Sequence, residues 1–169
     1  MNIVLIGYRG TGKSAVGEAL GALLGRPVLG TDAEIVRRAG CTIPEIVAQH
    51  GWEHFRDLEE AVVADLARST EAIIDCGGGI VTRPANVDAL RETGKVVWLR
   101  APVAVIAGRI AEDDQRPSLT GDTDFVTEIA GVLREREPLY AAACDIELDT
   151  GGADPGQLAK EIARLLEIP

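Results

Sequence analysis

The sequence predicts a three-layer α/β/α domain, in which helices cover both faces of a parallel sheet. Short apolar runs rich in β-branched residues lie at 3–6, 72–74, 96–99 and 146–148, and such runs are typical of strands buried on both faces. Helical patterns separate and follow these runs, an alternation that favours a parallel sheet. With 169 residues, 46% of them apolar, the chain suits one domain spanning residues 1–169.

The first unit of the chain is a strand, a glycine-rich loop and a helix. The strand at 3–6 ends at Gly7, and apolar residues recur at helical spacing from Ser14 until Gly25 and Pro27 interrupt them. Between residues 32 and 68 we find only helical patterns, which predict a substrate-binding lobe at about 33–61. Further helices are predicted at 103–111, 125–143 and 155–166.

Residues 112–124 have the sequence EDDQRPSLTGDTD, which is polar, acidic and interrupted by Pro117 and Gly121. A segment of this composition between two helices is typical of a mobile surface loop. We therefore predict a lid at about 112–124.

Charge and composition exclude several functional classes. The net charge of −10 argues against nucleic-acid binding, and no apolar run approaches the length of a membrane span. The amino-terminal residues MNIVLIG lack the basic stretch of a signal peptide, so we expect a cytoplasmic protein.

The cysteines and histidines do not indicate a disulfide framework or a metal site. The three cysteines are far apart and suggest buried free thiols. His50 and His54 suggest a surface pair because no third metal ligand is evident.

Residues 7–14, GYRGTGKS, match the motif GxxxxGKS in full, between a predicted strand and a predicted helix. Glycines let the backbone amides of such a loop point at phosphate oxygens, and the helix N-terminus adds partial positive charge. Lys13 is placed to reach the β- and γ-phosphates, and the Ser14 hydroxyl can bind Mg²⁺. The motif predicts nucleoside triphosphate binding. The chain lacks the guanine signature NKxD of GTPases and is short for a motor protein. A substrate lobe and a lid on a minimal core therefore indicate a small-molecule kinase.

A second unusual element, Gly77–Gly79, directly follows a predicted strand. Three glycines at the carboxyl end of a parallel strand place bare backbone beside the expected ligand crevice. The structural alternative is a tight strand-to-helix turn, which would need one glycine or two.

Six segments in order resemble the shikimate kinase family over nearly the whole chain: GYRGTGKS, GTDAEI, EHFRDLEE, DCGGGIVT, the pair Arg116–Pro117, and REREPLY. The resemblance implies a phosphate-loop (P-loop) fold related to nucleoside-monophosphate kinases, with a five-stranded sheet. It also implies ATP-dependent, Mg²⁺-dependent phosphorylation of the 3-hydroxyl of shikimate, a step of aromatic amino acid biosynthesis. The implied partners are ATP and shikimate, and we expect a monomer.

The resemblance also implies residue roles. Asp32 would hold the acceptor hydroxyls and take a proton, Arg56 and Arg136 would bind the shikimate carboxylate, and Glu59 would support Arg56. Gly77, Gly78 and Gly79 would line the ring, and Arg116 on the lid would meet the transferred phosphoryl group. Arg109 and Pro155 would border the adenine, and the remaining ATP-binding residues would be Gly7, Gly10, Thr11, Gly12, Lys13, Ser14 and Ala15.

The sequence departs from the family at Gly30, where the usual pattern DxD has its first aspartate and this chain has Gly30-Thr31-Asp32. Asp75, at the end of the strand before the glycines, could supply the missing support for the metal together with Ser14. Taken without the resemblance, Arg56 and Arg136 could be solvated helix charges, and Asp32 could be a helix N-cap. Alternative functions are a gluconate-type or nucleoside-monophosphate kinase, or a nucleotide-binding regulatory protein without catalysis.

Overall fold

The computed structural model describes residues 1–111 and 125–168. The described chain forms one parallel sheet of five strands: β1 (Asn2–Ile6), β2 (Val28–Gly30), β3 (Ile73–Asp75), β4 (Gly94–Arg100) and β5 (Ile146–Asp149). Their order across the sheet is β2-β3-β1-β4-β5. The predicted fold class is therefore confirmed, and the carboxyl ends of all five strands meet at one edge of the sheet.

Helices connect the strands. They are α1 (Lys13–Leu24), α2 (Thr31–Ala39), α3 (Ile43–Leu66), α4 (Pro84–Thr93), α5 (Val103–Ile110), α6 (Phe125–Ala143) and α7 (Pro155–Leu165). The helices predicted at 103–111, 125–143 and 155–166 correspond to α5, α6 and α7 within one residue at each end. None of the helices in the described segments is both long and apolar enough to cross a membrane.

Alternate residues of the central strands pack on opposite faces of the sheet. On one face, Val4 and Ile6 of β1 pack with Tyr140 of α6 and Leu90 of α4. On the other face, β1 packs against α1 and α7 through Ile3, Leu5, Val16, Leu20, Leu158 and Ile162. Because both faces are covered, the strands consist of apolar runs rather than alternating patterns.

The segment between β2 and β3 is helical, as predicted, and has its own apolar cluster. Thr42 caps α3 through a reciprocal capping box with Glu45. Gly51 interrupts α3 with a φ of 82°, a left-handed conformation that favours glycine. Phe55, which is 1% exposed, packs in this cluster and meets Trp52 edge to face.

Strand β2 was not recognisable as an apolar run because it has only three residues at the edge of the sheet, and Val28 is exposed. Its register pairs Gly30 with Asp75 on β3. All three cysteines are free thiols, as predicted, but only Cys76 is buried, since Cys41 and Cys144 are partly exposed. Burial raises the pKa of the Cys76 thiol well above its usual range, which keeps it protonated.

Candidate active site

The loop between β1 and α1 is held in a fixed shape by glycines and by one threonine. Gly10 and Gly12 have φ values of 79° and 90°, which residues other than glycine rarely adopt. A Cβ atom at Gly7 would lie 2.2 Å from the carbonyl oxygen of Leu99, so the loop approaches β4 closely. The Thr11 hydroxyl donates to the carbonyl of Tyr8 at 2.8 Å and closes the turn.

Lys13 lies at the start of α1 with its side chain folded over this loop. Its Nζ atom donates hydrogen bonds to the carbonyl oxygens of Gly7 and Tyr8, each at 2.9 Å. The residue is only 8% exposed, so its charge is held at the inner wall of the loop. An ammonium fixed beside backbone amides is the arrangement that binds phosphate oxygens.

A cavity of about 430 Å³, the loop cavity, opens at the carboxyl ends of the strands. Residues from α1, α2 and the ends of β2 and β3 line it together with the loop: Arg9, Gly10, Gly12, Lys13, Ser14, Ala15, Gly30, Asp32, Ala33, Asp75, Cys76, Gly77, Gly78 and Arg109. The structure thus brings Lys13, Ser14, Asp32 and Asp75 together, although they are up to 62 positions apart in the sequence.

Ser14 and Asp75 are directly linked in this cavity, because the Ser14 hydroxyl donates to Asp75 Oδ2 at 2.6 Å. Hydroxyl and carboxylate oxygens are the hard ligands that Mg²⁺ prefers, and Mg²⁺ typically uses few protein groups beside phosphates and water. The pair therefore fits the predicted metal site. Among the described residues there is no group of three or more carboxylate, histidine or cysteine side chains able to hold a metal. His50 and His54 are both exposed, with ring centroids 4.7 Å apart, which agrees with the predicted surface pair.

Gly77–Gly79 make room for three charged side chains. A Cβ atom at Gly77 would lie 2.7 Å from Asp32 Oδ1 and 3.0 Å from Glu59 Oε2. A Cβ atom at Gly79 would lie 2.1 Å from Arg56 Nη2. The glycines are needed because carboxylates and a guanidinium occupy the space that larger residues would fill.

Asp32 is not the N-cap of α2, which was the structural alternative for this residue. The N-cap is Gly30, and Asp32 is the second residue of the helix, within its first turn. A carboxylate in the first turn is favoured by the helix dipole. Asp32 lines the loop cavity together with Gly10 and Gly12.

Glu59 is fully buried and bonded to Arg56. Arg56 Nη1 and Glu59 Oε1 lie 2.8 Å apart, with side-chain exposures of 12% and 1%. Burial raises the pKa of the Glu59 carboxyl, and the charge of Arg56 opposes the rise. Arg56 is therefore held in place, which excludes the alternative that it is a solvated helix charge.

Arg56 and Arg136 meet in a second pocket beside the loop cavity. This arginine pocket is lined by Tyr8, Arg9, Trp52, Arg56, Gly78, Gly79 and Arg136. The Arg56 guanidinium lies over the rings of Trp52 and Phe55, with its carbon 5.5 Å and 5.3 Å from their centroids. Two planar guanidinium groups in a small pocket are suited to binding a carboxylate.

Two residues that sequence reasoning missed support this edge of the sheet. Tyr140 is fully buried on α6 and donates its hydroxyl to the carbonyl oxygen of Gly78, and burial raises the pKa of this phenol to about 12. Thr150 follows β5 and donates its hydroxyl to the carbonyl of Thr11 at 2.6 Å. Only Tyr140 had a sequence signal, its place in the segment REREPLY.

Of the remaining predicted residues, one lines the loop cavity, one does not, and one lies outside the described residues. Arg109 on α5 lines the loop cavity and donates to the carbonyl oxygens of Gly10 at 3.1 Å and Thr150 at 3.4 Å. Pro155 is the first residue of α7, outside the set of residues that line the loop cavity, so its contact with adenine stays a prediction. Arg116 and the lid at 112–124 lie outside the described residues.

The fold and the glycine-rich loop together are those of a phosphate-loop kinase. A family model described as shikimate kinase matches residues 9–167, which is most of the chain. The chain therefore belongs to the shikimate kinase family, whose members are ATP-dependent kinases, and the resemblance stated from the sequence is confirmed.

Individual relatives agree over nearly their full lengths. A shikimate kinase from Nitratidesulfovibrio vulgaris is 45% identical, with 97% of this chain and 94% of the relative covered. A shikimate kinase from Moorella thermoacetica is 43% identical, with 98% and 94% covered. Among solved structures, the shikimate kinase from Acinetobacter baumannii in complex with shikimate has a TM-score of 0.94 at 34% identity, covering 98% of this chain and 92% of that one.

Proposed function

We propose that this protein transfers the γ-phosphoryl group of ATP to the 3-hydroxyl of shikimate, giving ADP and shikimate 3-phosphate. The observation that carries the proposal is that the loop cavity and the arginine pocket share lining residues. Arg9 and Gly78 line both the loop cavity and the arginine pocket, so a nucleotide phosphate and an acceptor would lie side by side. The reaction belongs to aromatic amino acid biosynthesis, and a cytoplasmic monomer would suffice for it.

The arginine pocket would bind the shikimate carboxylate. Arg56 is oriented by Glu59 at 2.8 Å, and Arg136 faces it from α6. Charge-assisted hydrogen bonds from two guanidinium forks fix a carboxylate in orientation as well as in place. Gly78 and Gly79 line this pocket, and a ring bound beside them would direct its 3-hydroxyl toward the loop cavity.

Asp32 would receive the proton of that hydroxyl. It lines the loop cavity together with Lys13 and lies next to Gly77. As the oxygen of the acceptor attacks the γ-phosphorus, the bond to the β-phosphate oxygen breaks, and the hydroxyl proton would pass to Asp32. Lys13 would offset the negative charge on the phosphoryl oxygens, and Arg116 would add a second charge from the lid.

Mg²⁺ would be held by Ser14 and Asp75. When bound, the ion would neutralise phosphate charge and orient the β- and γ-phosphates. The 2.6 Å hydrogen bond between the two side chains supports this assignment, because it places both on the same wall of the loop cavity. Asp75 would then replace the family aspartate that is Gly30 in this chain.

The experiment that tests the acceptor assignment compares two arginines on the same helix. Arg136 lines the arginine pocket, whereas Arg134 is exposed two positions earlier. Calorimetric titration with shikimate should show Arg136→Ala weakening the affinity roughly thirtyfold or more, because a charge pair is lost. Arg134→Ala should bind like the wild type. Equal affinities for both variants would contradict the proposed carboxylate site.

A further inference from the structure

Arg9, the third residue of the phosphate loop, is the buried charge that the roles above leave unused. Its side chain is 13% exposed, and its Nε atom is buried without a hydrogen-bond partner among the described residues. A guanidinium carries five N–H donors, and burying such a group without partners is unfavourable. The loop thus contains a largely buried cation with one donor that no described residue satisfies.

The position of Arg9 indicates which part of a ligand it would meet. It lines the loop cavity together with Lys13 and Ser14, and it lines the arginine pocket together with Arg56 and Arg136. Gly78 lies between these spaces, and a Cβ atom there would be 3.2 Å from the backbone nitrogen of Arg9. Arg9 therefore lies on the boundary that the transferred group would cross.

Glu128 forms an ion pair with this guanidinium. Its Oε1 atom lies 3.8 Å from Arg9 Nη2, and the Glu128 side chain is 2% exposed. The distance is that of an ion pair rather than a hydrogen bond, so this contact does not satisfy a hydrogen-bond donor of Arg9. Glu128 belongs to α6, the helix that also carries Arg136, and its neighbour Ile129 is anchored in an apolar cluster with α5.

We propose that Arg9 binds the phosphoryl group as it passes to the acceptor, and that it remains bound to the 3-phosphate of the product. Glu128 is a positioning residue that acts through Arg9. Two guanidiniums already serve the acceptor carboxylate, whereas the phosphoryl group is the part of the substrates that moves from one space to the other. This inference rests on the proposed function. Arg9 forms no covalent bond and moves no proton.

The test compares the affinities of shikimate and of shikimate 3-phosphate, because these two ligands differ only in the phosphoryl group. We expect Arg9→Gln to weaken shikimate 3-phosphate binding about tenfold or more, as the loss of a charge-assisted hydrogen bond predicts. Shikimate binding should change by less than about threefold, since its carboxylate contacts remain. Arg9→Lys keeps a charge beside Glu128 but lacks the fork, and should fall between the wild type and Arg9→Gln.

Other outcomes have defined meanings. Equal weakening of both ligands in both variants would overturn the inference and assign Arg9 to the ring or the carboxylate. Unchanged affinities would overturn it and reduce Arg9 to a structural partner of Glu128. Failure of the wild type to bind either ligand would instead refute the proposed function. Circular dichroism verifies folding, and Arg9→Lys remains informative if Arg9→Gln does not fold.

Glu128→Gln provides the second readout. If Glu128 acts through Arg9, this variant should lower kcat with little change in the KM for shikimate, and it should have little further effect in the Arg9→Gln background. Independent, additive losses in the double variant would contradict the positioning role.

Discussion

Replacing Asp75 by asparagine tests how this chain manages without the first aspartate of the family pattern. Asp75 Oδ2 accepts the Ser14 hydroxyl at 2.6 Å, and both side chains line the loop cavity. Asparagine preserves the size and the hydrogen bond but removes the negative charge. Loss of a group that orients a metal or its waters typically lowers metal affinity about 10- to 100-fold. We expect the Mg²⁺ concentration for half-maximal activity to rise by this factor in Asp75→Asn.

The geometry of Gly30 allows the loss to be reversed. Gly30 is the register partner of Asp75 on the adjacent strand, and neighbouring strands are about 4.8 Å apart. Its φ of −93° is ordinary for any residue, and a Cβ atom would make only ordinary contact with Ala33, at 3.5 Å. Gly30→Asp should therefore fold normally and restore part of the Mg²⁺ affinity in the Asp75→Asn background.

The assay is a Mg²⁺ titration of activity for the wild type, both single variants and the double variant. A parallel titration of ADP affinity in Mg²⁺ gives a readout that does not depend on turnover. The control is Asp88→Asn, which removes the same charge from an exposed position on α4, outside the residues that line the loop cavity, and should behave like the wild type. An unchanged Mg²⁺ dependence in Asp75→Asn, or additive effects in the double variant, would refute the idea that Asp75 compensates for Gly30.

Three further predictions concern the glycines, the lysine and the buried carboxyl. Gly79→Ala should raise the KM for shikimate at least about tenfold, because the new Cβ would lie 2.1 Å from Arg56 Nη2 and displace that guanidinium. Gly131→Ala, where a Cβ atom meets nothing within 4 Å, is the control, and equal KM values would contradict the expectation. Lys13→Ala should lower kcat about 100-fold or more with unchanged circular dichroism, and retention of more than about a tenth of wild-type turnover would exclude its role at the phosphates. Burial raises the pKa of Glu59 above the ordinary 4.5, so the folded protein binds this proton more tightly than the unfolded chain does. The free energy of unfolding should fall as pH rises from 4.5 through the raised pKa, and urea titrations across this range should show a shallower fall in Glu59→Gln. The same dependence of the free energy of unfolding on pH in both proteins would contradict the raised pKa of Glu59.

Much of the fold could be predicted from the sequence because strands buried on both faces need uninterrupted apolar runs. Residues 3–6 and 96–99 carry this signal clearly, and both lie in the centre of the sheet. The edge strand at Val28–Gly30 gave no such signal, since it is short and its first residue is exposed. Helix α4 was also not specified, although Pro84 at its start is a common helix signal.

The site could be predicted only in part, for a physical reason. The loop at 7–14 is contiguous, so its phosphate-binding geometry follows from local spacing. Contacts between distant residues need the topology. The pairing of Gly30 with Asp75 depends on strand register, and the approach of Glu128 to Arg9 depends on how α6 packs. Thr150 resembled any polar residue after a strand, yet it fixes the loop through Thr11.

The most direct test of the central claim is a coupled assay of ADP release from ATP and Mg²⁺ by the purified protein. Shikimate, gluconate and a nucleoside monophosphate are compared as acceptors, with a reaction lacking any acceptor as the baseline. We predict that shikimate is the only one of the three acceptors that gives rapid ADP release, and that shikimate 3-phosphate forms in an equal amount. ADP release that shikimate does not accelerate, or that another acceptor accelerates more, would contradict the assignment of this site to shikimate phosphorylation.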